Sequence, residues 1–146
     1  MKKRVIIALA LLSSIAGFSQ EKKESSEKKV QAPEAARAAF MKAYPSASKV
    51  KWEKEGQDFE VNFMQGKKEM SAVYNAAGVL QETEEEINVK ELPASVQEYV
   101  KAHYKGSISE AAKVMKSNGE VNYEAEVNKV DLIFDKDGKF IKTEKD

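Results

Sequence analysis

Laid on itself at an offset of 60, the chain repeats. Pro33 meets Pro93, Phe40 meets Val100 and Tyr44 meets Tyr104; further on, Tyr74 meets Phe134, Asn75 meets Asp135, Gly78 meets Gly138 and Thr83 meets Thr143. Between these anchors the register slips, and Phe59 to Phe63 matches Tyr123 to Val127 at an offset of 64 before the first offset returns. Matches at both ends of a unit, with slippage confined to its middle, are the mark of one structural unit written twice with different loop lengths. Any fold proposed for this chain must therefore consist of two copies of one small unit, repeat 1 over residues 33–90 and repeat 2 over 91–146.

Each copy opens with a proline suited to a helix start, then an alanine-containing stretch in which Ala36, Phe40 and Tyr44, or Val96, Val100 and Tyr104, recur at i, i+4, i+8. That spacing puts them on one helical stripe. Pro45 and Gly106 stop the helices. The remainder of each copy alternates with period two, the signature of half-buried strands. Val50 and Trp52, then Phe59, Val61 and Phe63, then Met70, Ala72 and Tyr74 are expected inward in the first copy. Val114, then Val121, Tyr123, Ala125 and Val127, then Val130, Leu132 and Phe134 are expected inward in the second. Gly56, Gly66, Gly78, Gly119 and Gly138 punctuate the runs as hairpin turns. The fold class expected is α+β: a tandem duplication of a helix-plus-four-strand unit, giving an antiparallel sheet of about eight strands with two helices on one face.

Ahead of the repeats, Met1 to Arg4 is basic, Val5 to Ala16 is apolar and Gly17-Phe18-Ser19 places small residues before Gln20. This three-part pattern reads as a signal peptide over 1–19. It falls short of the roughly 20 apolar residues of a spanning helix. Residues 20–32, rich in Glu, Lys and Ser, offer little to bury and read as a flexible charged tether. A periplasmic or secreted protein is expected, with no membrane insertion after cleavage. Removing Lys2, Lys3 and Arg4 from a chain with 24 basic and 24 acidic residues leaves a net −3, the wrong sign for nucleic acid. With no cysteine, an exported chain must be held by its core and sheet alone.

The doubled pattern of Pro, Phe or Val, and Tyr, followed by alternating strands and a Tyr/Phe-Asn/Asp-x-x-Gly turn, resembles the PepSY-like family of secreted bacterial proteins, which share the fold of the β-lactamase inhibitor proteins. The residues that carry it are Pro33, Phe40, Tyr44, Tyr74 and Gly78 with Pro93, Val100, Tyr104, Phe134 and Gly138. They are structural positions. The resemblance implies the tandem architecture, export and an inhibitor-like role, but it assigns no catalytic residue.

The residues themselves point away from catalysis. His103 is the single histidine, too few for a zinc or iron site. Asp135-Lys136-Asp137-Gly138 imitates the start of a calcium loop, yet aligning Gly138 with the invariant glycine puts Ile133 at the first ligand position, so a hairpin turn explains it better. No nucleophile elbow, phosphate loop or paired-histidine zinc motif occurs, and no cofactor is expected. The acidic run Glu82, Glu84, Glu85 and Glu86 is expected on a solvated edge strand, where charge discourages pairing with other chains; its functional alternative is a site for a cation or a basic partner.

A non-enzymatic binding module remains, using the face of the sheet that the helices leave open to hold a protein or peptide. The candidate partner-binding residues on that face are Glu60, Val73, Met115, Glu124, Glu126, Asp131, Ile133 and Ile141, an apolar patch with an acidic rim. Self-association as an envelope protein, or carriage of a small ligand between helices and sheet, are the alternatives; monomer or weak homodimer is expected.

Overall fold

The computed structural model describes residues 30–145; the expected leader, and the tether as far as residue 29, lie outside the described residues. Pro33 and Pro93, with φ of −53° and −51°, each stand immediately before a helix, α1 (Glu34–Ala43) and α2 (Ala94–His103). Each helix ends at a tyrosine. Tyr44 N–H donates to the Phe40 carbonyl and Tyr104 N–H to that of Val100. Ala32 is buried like its counterpart Leu92, so the packed unit begins one residue inside the expected tether. An alanine next to a polar run has too little apolar surface to announce this in the sequence.

The strands are β1 (Ser48–Glu55), β2 (Asp58–Gln65), β3 (Lys68–Tyr74) and β4 (Leu80–Glu86). A 3-10 turn (Val89–Glu91) and α2 come next, then β5 (Glu110–Lys116), β6 (Val121–Val127), β7 (Val130–Asp135) and β8 (Phe140–Lys145). They form one open, wholly antiparallel sheet whose spatial order is the sequence order. This is the expected α+β tandem. No helix among the described residues is long and apolar enough to cross a membrane.

Both helices pack on the same face, each over its own copy. Under α1, Ala36 and Phe40 meet Val61, Phe63, Ala72 and Tyr74, with the Phe40 ring edge-on to Phe63 at 4.9 Å and to Trp52 at 5.7 Å. Trp52 is thus a core aromatic. Under α2, Val96 and Val100 meet Ala111, Ala125, Val127, Leu132 and Phe134, and Tyr99 stacks on Phe140 at 4.9 Å. Edge-on and offset ring pairs contribute roughly 0.5–1.5 kcal/mol beyond burial.

The duplication extends to single hydrogen bonds. Asn75 Oδ1 accepts from the amides of Ala77 and Val79, each at 3.0 Å, and Asp135 Oδ1 accepts from those of Asp137 and Lys139, each at 2.9 Å. The would-be calcium loop is therefore an Asx-type turn whose carboxylate oxygen is engaged by backbone N–H groups. Among the described residues no three His, Cys, Asp or Glu converge as a metal site.

Three expectations fail for reasons of register. Val50 is half-exposed, because a bulge between Ser48 and Lys51, with Lys49 at φ 53°, takes it out of the alternation that keeps Trp52 inside. Val114 and Met115 exchange faces. Met115 lies opposite Thr83 and Val121 on the helix side, whereas Val114 lies opposite Glu84 and Asn122 on the other; residues directly opposed in an antiparallel ladder share a face. Finally, β4 with its four glutamates is no edge strand: β3 pairs with one side of it and β5 with the other.

Candidate binding face

The ladder register builds the helix-free face row by row. One row runs Glu53, Glu60, Val73, Glu82 and Lys116 from β1 to β5. The next runs Lys51, Asn62, Ser71, Glu84, Val114, Asn122 and Asp135 from β1 to β7. Further along, Glu86, Ala112, Glu124, Ile133 and Lys142 span β4 to β8, and Glu110, Glu126, Asp131 and Glu144 span β5 to β8. Carboxylates thus recur in every row, with Val73, Val114, Ala112 and Ile133 set among them.

Six of the eight residues expected here are on this face: Glu60, Val73, Glu124, Glu126, Asp131 and Ile133. Two are not. Met115 is on the helix side, for the register reason given above, and Ile141 is the extra residue of a bulge between the Phe134–Phe140 and Ile133–Lys142 pairs. Sequence reasoning missed Val114 and Ala112, which supply the apolar middle with Ile133, and Glu82 and Glu84, which an edge-strand reading sets aside. Ile133, Val114 and Ala112 are all at or below 5% exposure, and Val73 is half-buried.

Burial pushes the Glu82 carboxyl of β4 up, against the lowering effect of Lys116, and Glu144, Glu60 and Glu120 add to the rise. Glu55, at the end of β1, is pushed up to about 6, first by burial and then by Glu60, Glu82 and Asp58.

Each lysine the register places here has an acidic neighbour. Lys51 pairs with Glu53 at 2.7 Å, Lys116 with Glu120 at 2.9 Å, and Lys142 with Glu144. The carboxylates far outnumber them. Glu126 is held by the Ser109 hydroxyl, which donates to its Oε1 at 2.7 Å. Asn122, 6% exposed, donates from Nδ2 to Glu120 Oε1, while its buried Oδ1 accepts no hydrogen bond. His103 is remote from all of this, on the exposed end of α2 against the Tyr99 ring.

A tandem αβ4 protein with one helix-covered face and one acid-lined face has the fold of the β-lactamase-inhibitor-like proteins. The chain belongs to the family described as "Putative beta-lactamase-inhibitor-like, PepSY-like", whose model matches residues 19–82 and again 59–142. The two matches restate the duplication. Among solved structures, a "putative periplasmic" protein of Bacteroides eggerthii superposes with a TM-score of 0.67 at 15% identity, covering 79% of this chain and 89% of the other. A BLIP-like protein of Bacteroides fragilis gives 0.60 at 23% identity, with 79% and 86% covered. At these identities the likeness is one of fold. No curated protein matches the sequence.

Proposed function

We propose that the protein is an exported, non-enzymatic binding module that holds a protein or peptide on the helix-free face of its sheet. The observation that carries this is the placement of β4: Glu82, Glu84 and Glu86 line the helix-free face in the interior of the sheet, beside Val73, Val114 and Ala112, with β3 and β5 paired on either side. Apolar residues interspersed with charge are the ordinary composition of a non-obligate interface. Export is supported by the basic-apolar leader pattern and by the similarity to a structure described as periplasmic. The family description supports an inhibitor-like role for the same face.

A photo-crosslinking residue placed at Val73, with a control at Arg37 on the exposed side of α1, tests the reading in cells. A polypeptide adduct from position 73 alone is expected. Equal labelling from both positions, or adducts only with a second copy of the chain, would replace it with non-specific contact or self-association respectively.

A further inference from the structure

We infer that the free edge of β8 joins two copies of the chain into a symmetric dimer, with β8 antiparallel to β8 of the second copy about Thr143. The inference is independent of what the helix-free face holds and comes from comparing the two repeats. β4 and β8 are equivalent strands. Each meets its inner neighbour in the same register, Ala72 opposite Thr83 and Leu132 opposite Thr143, with Gln81 and Ile141 as the extra residues of equivalent bulges. The outer edge of β4 is in use: it pairs with β5 over Glu82–Glu86, so the bulge is no obstacle to pairing there. In that ladder Ile87 N–H donates to the Ala111 carbonyl and Ser117 N–H to the Gln81 carbonyl. Because bonded and non-bonded pairs alternate between antiparallel strands, Gln81, Thr83 and Glu85 turn their backbone groups toward β5. Their counterparts Ile141, Thr143 and Lys145 turn theirs away from β7, where the sheet ends.

Charge selects the partner. In a two-fold pairing about the central threonine, the residue before it opposes the residue after it in the other strand. For β4 this would set Glu82 against Glu84, and like charges directly opposed are destabilising. β8 keeps Glu144 where β4 has Glu84, but has Lys142 where β4 has Glu82. Its two-fold pairing therefore sets Lys142 of each copy against Glu144 of the other, an attractive pair made twice, as an isologous interface requires. Both side chains are accessible, at 58% and 46% exposure, and already meet along their own strand; the second copy extends that pair into an alternating network. Ile141, 49% exposed, adds apolar surface to the same edge. The opposite edge, β1, is broken in its first half by the bulge between Ser48 and Lys51, and pairing its regular part about the middle opposes Glu53 to itself. An interface one strand wide is small, so association is expected at concentrations on the order of tens of micromolar or higher.

Sedimentation equilibrium of the chain from Gln20 onward, run from micromolar to millimolar concentration, tests this directly. An apparent mass that rises from one chain to two and stops there is expected. Glu144→Lys and Lys142→Glu should each weaken the dimer by about tenfold, since each turns two attractive pairs into repulsive ones, and the two together should restore it. Thr143→Pro should abolish the dimer at an unchanged melting temperature, because the amide it removes faces outward and edge strands accept proline there. Lys54→Glu in β1 should change nothing. If the proline variant fails to fold, the charge exchange decides. The inference is overturned if the chain stays monomeric, or if its mass climbs past two chains, which would mean β8 pairing with β1 of the next copy. It is equally overturned if Lys54→Glu weakens association as much as the β8 reversals, if the combined exchange fails to recover what the single ones lose, or if the dimer is indifferent to every β8 variant. Val73, on β3, lies remote from this edge, so the crosslinking experiment reads the helix-free face separately.

Discussion

The Cβ that Gly78 lacks would lie 2.5 Å from the carbonyl oxygen of Ala35 in the first turn of α1. The equivalent Gly138 is closed in by Ser95 and Pro93 at the start of α2, and both glycines have positive φ, 79° and 76°. In each copy the turn between the third and fourth strands is thus pressed against the start of that copy's helix. Gly78→Ala should therefore destabilise by about 2–4 kcal/mol, since backbone conformation and backbone contact are both violated. Gly138→Ala should be partly rescued by Ser95→Ala, which removes the nearest atom, while no side-chain change can rescue Gly78. Chemical denaturation of these variants reads this out, and equal rescue in both copies would contradict it.

Tyr74 and Phe134 are equivalent buried rings, at 2% and 0% exposure. Truncating either to alanine should cost about 3 kcal/mol or more. The Tyr74 hydroxyl has no hydrogen-bond partner, and burial pushes its pKa up to about 12. Tyr74→Phe should accordingly be neutral or stabilising, because it removes a buried polar atom without opening a cavity. A loss above about 1 kcal/mol would show that the hydroxyl has a partner.

Stability should rise as the medium is acidified from pH 7 to 5. Glu55 has a folded-state pKa of about 6, above its ordinary 4.5, and that of Glu82 is also raised. The folded state therefore holds these protons more tightly than the unfolded one, so ionisation costs stability: the cost is fully present above about pH 6 and gone below about 4.5. Melting temperatures across that window should fall with rising pH, and Glu55→Gln should flatten the slope. An unchanged slope in the variant would assign the effect to other groups.

Neighbouring residues should separate the two faces of β5. Val114→Gln, at a position 4% exposed, should cost about 1–3 kcal/mol by burying an amide. Met115→Gln, at 48% exposure, should fall within about 0.5 kcal/mol of the parent. The reverse order would move the strand by one register position.

The architecture is legible in the sequence because the repeat and the period-two pattern agree in most strands, and an aromatic or branched residue fixes the phase of strands such as β2, β6 and β7. The exception, β5, reads Glu-Ala-Ala-Lys-Val-Met-Lys. Both of its phases carry apolar and charged residues alike, so alternation cannot choose between Val114 and Met115. Only pairing with Thr83 and Val121 does. Bulges hide Val50 and Ile141 in the same way, since one added residue reverses a phase that sequence alone assumes constant. The glutamates of β4 mislead because strand order across a sheet is a long-range property; four acids in so short a strand look like an edge until β5 is seen beside them.

Strand order equal to chain order also sets a sequence of events in time. A chain made amino-terminal end first completes α1 and β1 to β4, with their core, before β5 exists. During that interval β4 is a terminal strand after all, with a full row of unpaired amides and carbonyls. Glu82, Glu84, Glu85 and Glu86 then repel any second nascent copy that could pair there. Glu82, Glu84 and Glu86, which line the finished face, together with Glu85 on the helix side, guard the half-made sheet, and a protein stripped of them should show its defect first in the yield of refolding at high concentration.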